Sequence, residues 1–92
     1  VHLLALAVLC ESRRSLERWT RQRHTATGVH RERLFTEALE SYRYLTETQA
    51  DDWPLSFANV CKLHCLDADH LRDEILGSIP EEVLAWMKQR RP

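Results

Sequence analysis

The chain predicts an all-α fold: a compact bundle of about five helices forming a single domain over residues 1–92, with a helix-turn-helix-like unit at its centre. Three observations carry this expectation. Leu, Ala, Glu and Arg are plentiful while β-branched residues are sparse, a composition that favours helix. Only Gly28, Gly77, Pro54, Pro80 and Pro92 punctuate the chain, and they fall between apolar runs. Within the runs the apolar residues recur at spacings of three and four, the period of one helix face. A hydrophobic share of 43% with a charged share of 29% excludes a disordered chain, and 92 residues leave room for one modest core.

The first helix is expected from about His2 to Arg23. Its opening, Val1 to Cys10, is apolar nearly all round, which calls for burial on several sides or for contact with a second copy. The stretch resembles the apolar part of a signal peptide but lacks a basic lead-in, and its ten residues fall short of the roughly 20 that span a bilayer. It reads as the buried half of a helix. The absence of a leading Met suggests processing or an upstream piece. From Glu11 the apolar pattern thins to Leu16 and Trp19 among arginines, and Glu17 with Arg21 makes an i,i+4 pair in the favourable order. His24 to Gly28 reads as a loop. The second helix, about Val29 to Thr46, buries Leu34, Phe35, Ala38, Leu39, Tyr42 and Leu45.

A polar run from Glu47 to Asp52 follows, and Pro54 holds Trp53 extended, making Trp53 a packing anchor at the corner. Ser56 is the expected N-cap of a third helix, about Phe57 to Cys65, with Leu55 and Val60 placed as a hydrophobic staple. Asp67 repeats the device for a fourth helix, with Leu66 and Leu71 at the staple positions. Gly77 is expected to close that helix. Ser78 to Glu81 reads as a capping box with proline in the first turn, opening a last helix, about Ile79 to Gln89, that buries Ile79, Val83, Leu84, Trp86 and Met87.

Two capped starts eleven residues apart leave a turn of three or four residues between the third and fourth helices, the spacing of a helix-turn-helix over 56–76. Here Asp52-Trp53-Pro54, Ser56-Phe57, Asn59-Val60-Cys61, Leu66-Asp67 and Leu71-Arg72 resemble a pattern of small, uncharacterised bacterial proteins. In that pattern Asp-Trp-Pro-Phe-Ser-Phe leads into Asn-Val-Cys, then Leu-Gly-Leu-Asp-Pro and Leu-Arg. The resemblance covers about a quarter of the chain and implies a helix-turn-helix-like fold more than an activity. This chain departs from the pattern with Leu55 for Phe, Cys65 for Gly and Ala68 for Pro.

Charge divides the chain. Residues 1–33 carry seven arginines, Arg13, Arg14, Arg18, Arg21, Arg23, Arg31 and Arg33, against three glutamates, a balance of +4; residues 34–92 carry six basic and eleven acidic side chains, a balance of -5. These arginines, with His70 and Arg72 of the second unit helix, are the candidate nucleic-acid contacts of a helix-turn-helix transcriptional regulator that binds duplex DNA. The would-be recognition helix, however, carries Asp67, Asp69, Asp73 and Glu74 against Arg72, a poor surface for phosphates. The alternative is therefore a protein-interaction module in which Asp69, Asp73 and Glu74 meet a basic partner.

Cys61, His64 and Cys65 have neither the paired knuckles of a structural zinc site nor an orienting third group for nucleophilic catalysis, so core packing is the expectation. No metal, cofactor or enzymatic role is expected. Three cysteines argue for a reducing, cytoplasmic setting. The apolar N-terminal helix predicts a homodimer, and no membrane partner is expected.

Overall fold

A computed structural model describes residues 2–47 and 52–89, and the side chains from residue 4 onward. Among these residues the chain forms five helices and no strand: α1 (His2–Gln22), α2 (Gly28–Thr46), α3 (Phe57–Leu63), α4 (Ala68–Gly77) and α5 (Glu81–Gln89). The expected all-α bundle is the observed one. The bounds move by a few residues, most at α3, which ends two residues early, and at α5, which starts two residues late. Much of the polar run, 48–51, lies outside the described residues, as do Arg90 and Arg91 of the basic tail.

α1 and α2 form an antiparallel hairpin, because the link over residues 23–27 turns the chain straight back. Trp19 near the end of α1 meets Phe35 early in α2, and Arg18 reaches Glu37. The buried row of α1 is Ala5, Leu9, Ser12, Leu16 and Trp19, and that of α2 is Leu34, Ala38, Ser41 and Leu45. Both rows alternate steps of four and three, which holds each apolar seam toward a neighbouring helix. Phe57, Val60 and Cys61 of α3, Ile75 of α4, Ile79 at the last corner, and Val83 and Met87 of α5 complete one hydrophobic cluster with those rows.

The N-terminal run divides between core and surface. Ala5 and Leu9 are buried, whereas Leu4 and Leu6 are 58% and 43% exposed. The side chain of Leu3 lies outside the described set. Among the described residues no helix is long and apolar enough to cross a membrane.

Three local expectations are corrected. Glu17 pairs back to Arg13 at 3.1 Å rather than forward to Arg21. Gly77 does not close α4 in a left-handed conformation; it is the last helical residue, and Ser78 ends the helix with its N–H and Oγ on the carbonyl of Ile75. Among the described residues no N–H of α5 donates to the Ser78 hydroxyl, so Ser78 serves the end of α4 and does not cap α5. The carbonyl of Pro80 accepts from the N–H groups of Val83 and Leu84, so proline stands just before α5 rather than in its first turn.

Candidate interaction surfaces

The α3–turn–α4 unit is built by the caps its sequence specifies. Ser56 Oγ accepts from the N–H of Asn59 at 3.2 Å, and Asp67 Oδ1 accepts from the N–H of His70 at 3.2 Å. Between them α3 ends in a six-to-one and five-to-two pair of hydrogen bonds, Leu66 N–H to Cys61 O and Cys65 N–H to Lys62 O. This is the Schellman arrangement, which needs a left-handed residue where the chain leaves the helix. Cys65 fills that position at φ 56, the one non-glycine residue with positive φ among those described. A left-handed position of this kind is one that glycine takes without strain and that a side chain takes at a cost.

Trp53 supports the unit from its rim. Its carbonyl accepts from Asn59 Nδ2 at 2.8 Å and from the N–H of Ser56 at 3.1 Å, while its ring stays 42% exposed and meets Tyr44 edge-on at 6.0 Å. It anchors the corner through its backbone more than by burial of its indole. Leu66, expected at a staple position, is 42% exposed, whereas Ile75 is buried.

The outer face of α4 is acidic. Asp69, Asp73 and Glu74 are exposed with His70 between them, and the cap Asp67 is exposed beside them. Arg72 offsets only Asp69 on this face. Its Nε donates to the carbonyl of Leu45, its Nη1 pairs with Asp69 at 2.8 Å, and its guanidinium lies 5.2 Å from the centre of the Phe57 ring. Leu45 O belongs to the last turn of α2, whose carbonyls have no partner within the helix. Arg72 is therefore a strut that ties α4 to α2 and α3.

The basic residues of α1 and α2 divide in the same way. Arg13 pairs with Glu17, Arg18 bridges Glu11 at 3.5 Å and Glu37 at 3.2 Å, and Arg23 reaches Glu82 of α5 at 2.7 Å. Arg31 stacks 5.2 Å from the centre of the Trp19 ring. Arg14, Arg21 and Arg33 are exposed, and among the described residues none has an ion pair. Arg14 and Arg21 are seven apart and so share a face of α1. The seven expected arginines thus do not make one open phosphate-binding surface; three are free to face a ligand.

An aromatic cluster that sequence reasoning did not assemble joins α1, α2 and α5. Trp19 stacks on Trp86 at 5.4 Å and 11°, and Phe35 packs against Trp86 at 4.6 Å and against Trp19 at 5.4 Å. Arg23, His24, Arg31 and Glu82 stand with the two indoles around a recess of about 280 Å³. The indole N–H of Trp19 is buried without a hydrogen-bond acceptor among the described residues. Trp86, expected to be buried on the α5 face, is only partly buried; its partners, more than 50 residues away, were not legible in the sequence.

Cys61 is fully buried, as expected of a core residue, while Cys10 and Cys65 are exposed thiols. Burial pushes the Cys61 thiol up, against the opposing pull of Arg72 and with a further push from Asp67. Burial, aided by the neighbouring Cys61, also raises the Tyr44 phenol to about 12, and its hydroxyl donates to Leu55 O at 2.6 Å. Among the described residues no group of three or more His, Cys, Asp or Glu side chains could hold a metal ion.

A second recess runs along the α1–α2 seam. Ser12, Ser15 and Ser41 form its floor, Glu11, Glu37 and Glu40 line its sides, and Val8, Tyr44 and Trp53 complete it, enclosing about 410 Å³. Serines 12 and 41 sit within the helical seam rows where leucine would have filled the space, a signal that was present in the sequence.

No family model matches the chain. No curated protein and no solved structure matches it either.

Proposed function

We propose that the chain is a small, non-enzymatic regulatory module whose α3–turn–α4 unit presents the acidic face of α4 to a basic protein partner. The observation that carries this reading is the fate of Arg72: the one cation of α4 is engaged by Leu45, Asp69 and Phe57, so among the described residues Asp73 and Glu74 stay unpaired and the exposed Asp69 completes the acidic face a partner meets. Charge complementarity of this kind steers association and makes it salt-dependent. A cytoplasmic setting fits the exposed free thiols Cys10 and Cys65. Self-association through the exposed Leu4 and Leu6 of α1 belongs to the same reading; sedimentation of a strict monomer at high concentration refutes that part.

A second reading, a helix-turn-helix that binds duplex DNA, is favoured by one specific observation. Cys65 adopts the left-handed turn conformation at the place of the glycine in the resembling bacterial pattern. Phosphate contacts would then fall on Arg14, Arg21 and Arg33 rather than on α4. Fluorescence polarisation separates the two, using a labelled lysine-rich peptide and labelled random duplex DNA, each at low and high salt. The first reading expects salt-sensitive peptide binding that weakens in the combined variant Asp69→Asn, Asp73→Asn, Glu74→Gln, with no retention of DNA. Salt-sensitive DNA binding lost on replacing Arg14, Arg21 and Arg33 by Ala establishes the second reading, and peptide binding indifferent to the α4 variant refutes the first.

A further inference from the structure

We infer that the serine-floored groove between α1 and α2 is a docking site for a single arginine or lysine side chain of a basic peptide segment. The groove shares no residue with the acidic face of α4, and the inference does not depend on that face being used. Its walls are anionic: Glu11, Glu37 and Glu40 line it and no basic side chain does. The molecule itself shows what such walls accept. Arg18 places a guanidinium between Glu11 and Glu37, at 3.5 and 3.2 Å. Glu40 is exposed and, among the described residues, has no ion pair. It remains as the carboxylate a second cation would meet.

The floor points to a ligand independently of the charge. Ser15 and Ser41 are 5% and 8% exposed and line the groove, yet neither hydroxyl has a hydrogen bond among the described residues, whereas Ser12 Oγ is committed to Val8 O at 3.0 Å. Both oxygens stay accessible from the groove rather than sealed in the core, and a guanidinium or ammonium supplies the donors that two serine oxygens accept. The aromatic members add the remaining element. Trp53 and Tyr44 both line the groove, and an exposed indole is a ring on which a cation can settle. An anionic side chain is repelled by these walls and a neutral one forgoes the pairing with Glu40, so the occupant they favour is a basic side chain.

The test is a titration of the full chain, labelled with ¹⁵N, by acetyl-arginine methylamide, with the citrulline analogue as the uncharged isostere. Saturable shifts are expected at the Trp53 indole N–H and at the amides of Ser15 and Ser41, absent with citrulline. Glu40→Gln, an exposed and conservative change, should weaken binding about two- to fivefold, the range of an exposed charge pair. The combined α4 variant should leave these shifts unaltered, which separates this site from the acidic helix. Equal shifts with citrulline, shifts confined to α4, or affinity unchanged in Glu40→Gln would each overturn the inference.

Discussion

Replacing Arg72 by Ala tests whether this arginine supports the fold or faces a ligand. Three interactions are lost together. The hydrogen bond from a charged donor to the carbonyl of Leu45 is worth about 1.5 kcal/mol at the low end of its class, since the pair is only part-buried. The guanidinium against the Phe57 ring adds about 0.5–1 kcal/mol. The bond to Asp69 adds a few tenths (about 0.3 kcal/mol), because the Asp69 side chain is 89% exposed and water screens it. The total is about 2–3 kcal/mol, and for a domain of this size it lowers Tm by roughly 10–20 °C. Urea unfolding followed by tryptophan fluorescence and by far-ultraviolet circular dichroism measures it. Arg72→Met retains the packing of the aliphatic stem and should recover part of the loss. If Arg72→Ala unfolds within about 0.5 kcal/mol of the parent, as a surface substitution does, the strut is refuted and the guanidinium returns to the pool available for binding.

Cys65→Gly should stabilise the chain by about 0.5–1 kcal/mol, the relief of a left-handed backbone less the entropy that glycine loses on folding; a denaturant midpoint that falls instead refutes the strain. Stability should fall as pH rises from about 10, the ordinary tyrosine value, to about 12, the folded value of Tyr44. The native state holds the proton more tightly, so the contribution is complete below 10 and lost through 12, amounting to about 1–2 kcal/mol after allowance for partial exposure. In Tyr44→Phe this slope should vanish, together with the hydrogen bond to Leu55 at every pH. Trp86→Ala removes the ring that stacks on Trp19 and packs at a tilt against Phe35, and should cost about 2–4 kcal/mol. Hydrogen exchange should show α5 losing protection first; uniform loss across all helices refutes a local role.

The sequence made the helices legible because their faces and caps are local properties. Ser56 and Asp67 cap as their residue types dictate, and the seam of α2 was visible in Leu34, Ala38 and Leu45. Gly77 marked the end of α4 correctly, but not by turning left-handed: Ser78 follows it with right-handed backbone and hydrogen bonds to Ile75 and Leu76. The surfaces were less legible. Whether an arginine faces solvent or is engaged depends on acids brought to it by folding, as Glu82 is brought to Arg23 across 59 residues. The serine groove depends on two helices passing side by side, which no single stretch of sequence specifies.

The α1–α2 hairpin also bears on how the chain finds its fold. The largest helix-to-helix interface joins segments that are neighbours in sequence, and closing a link as short as residues 23–27 costs little chain entropy. Domains dominated by such local pairing have low contact order and fold in microseconds to milliseconds. Truncation of the hairpin core, as in Leu16→Ala, is therefore expected to slow folding, and Ile75→Ala in α4 to speed unfolding instead, in stopped-flow kinetics.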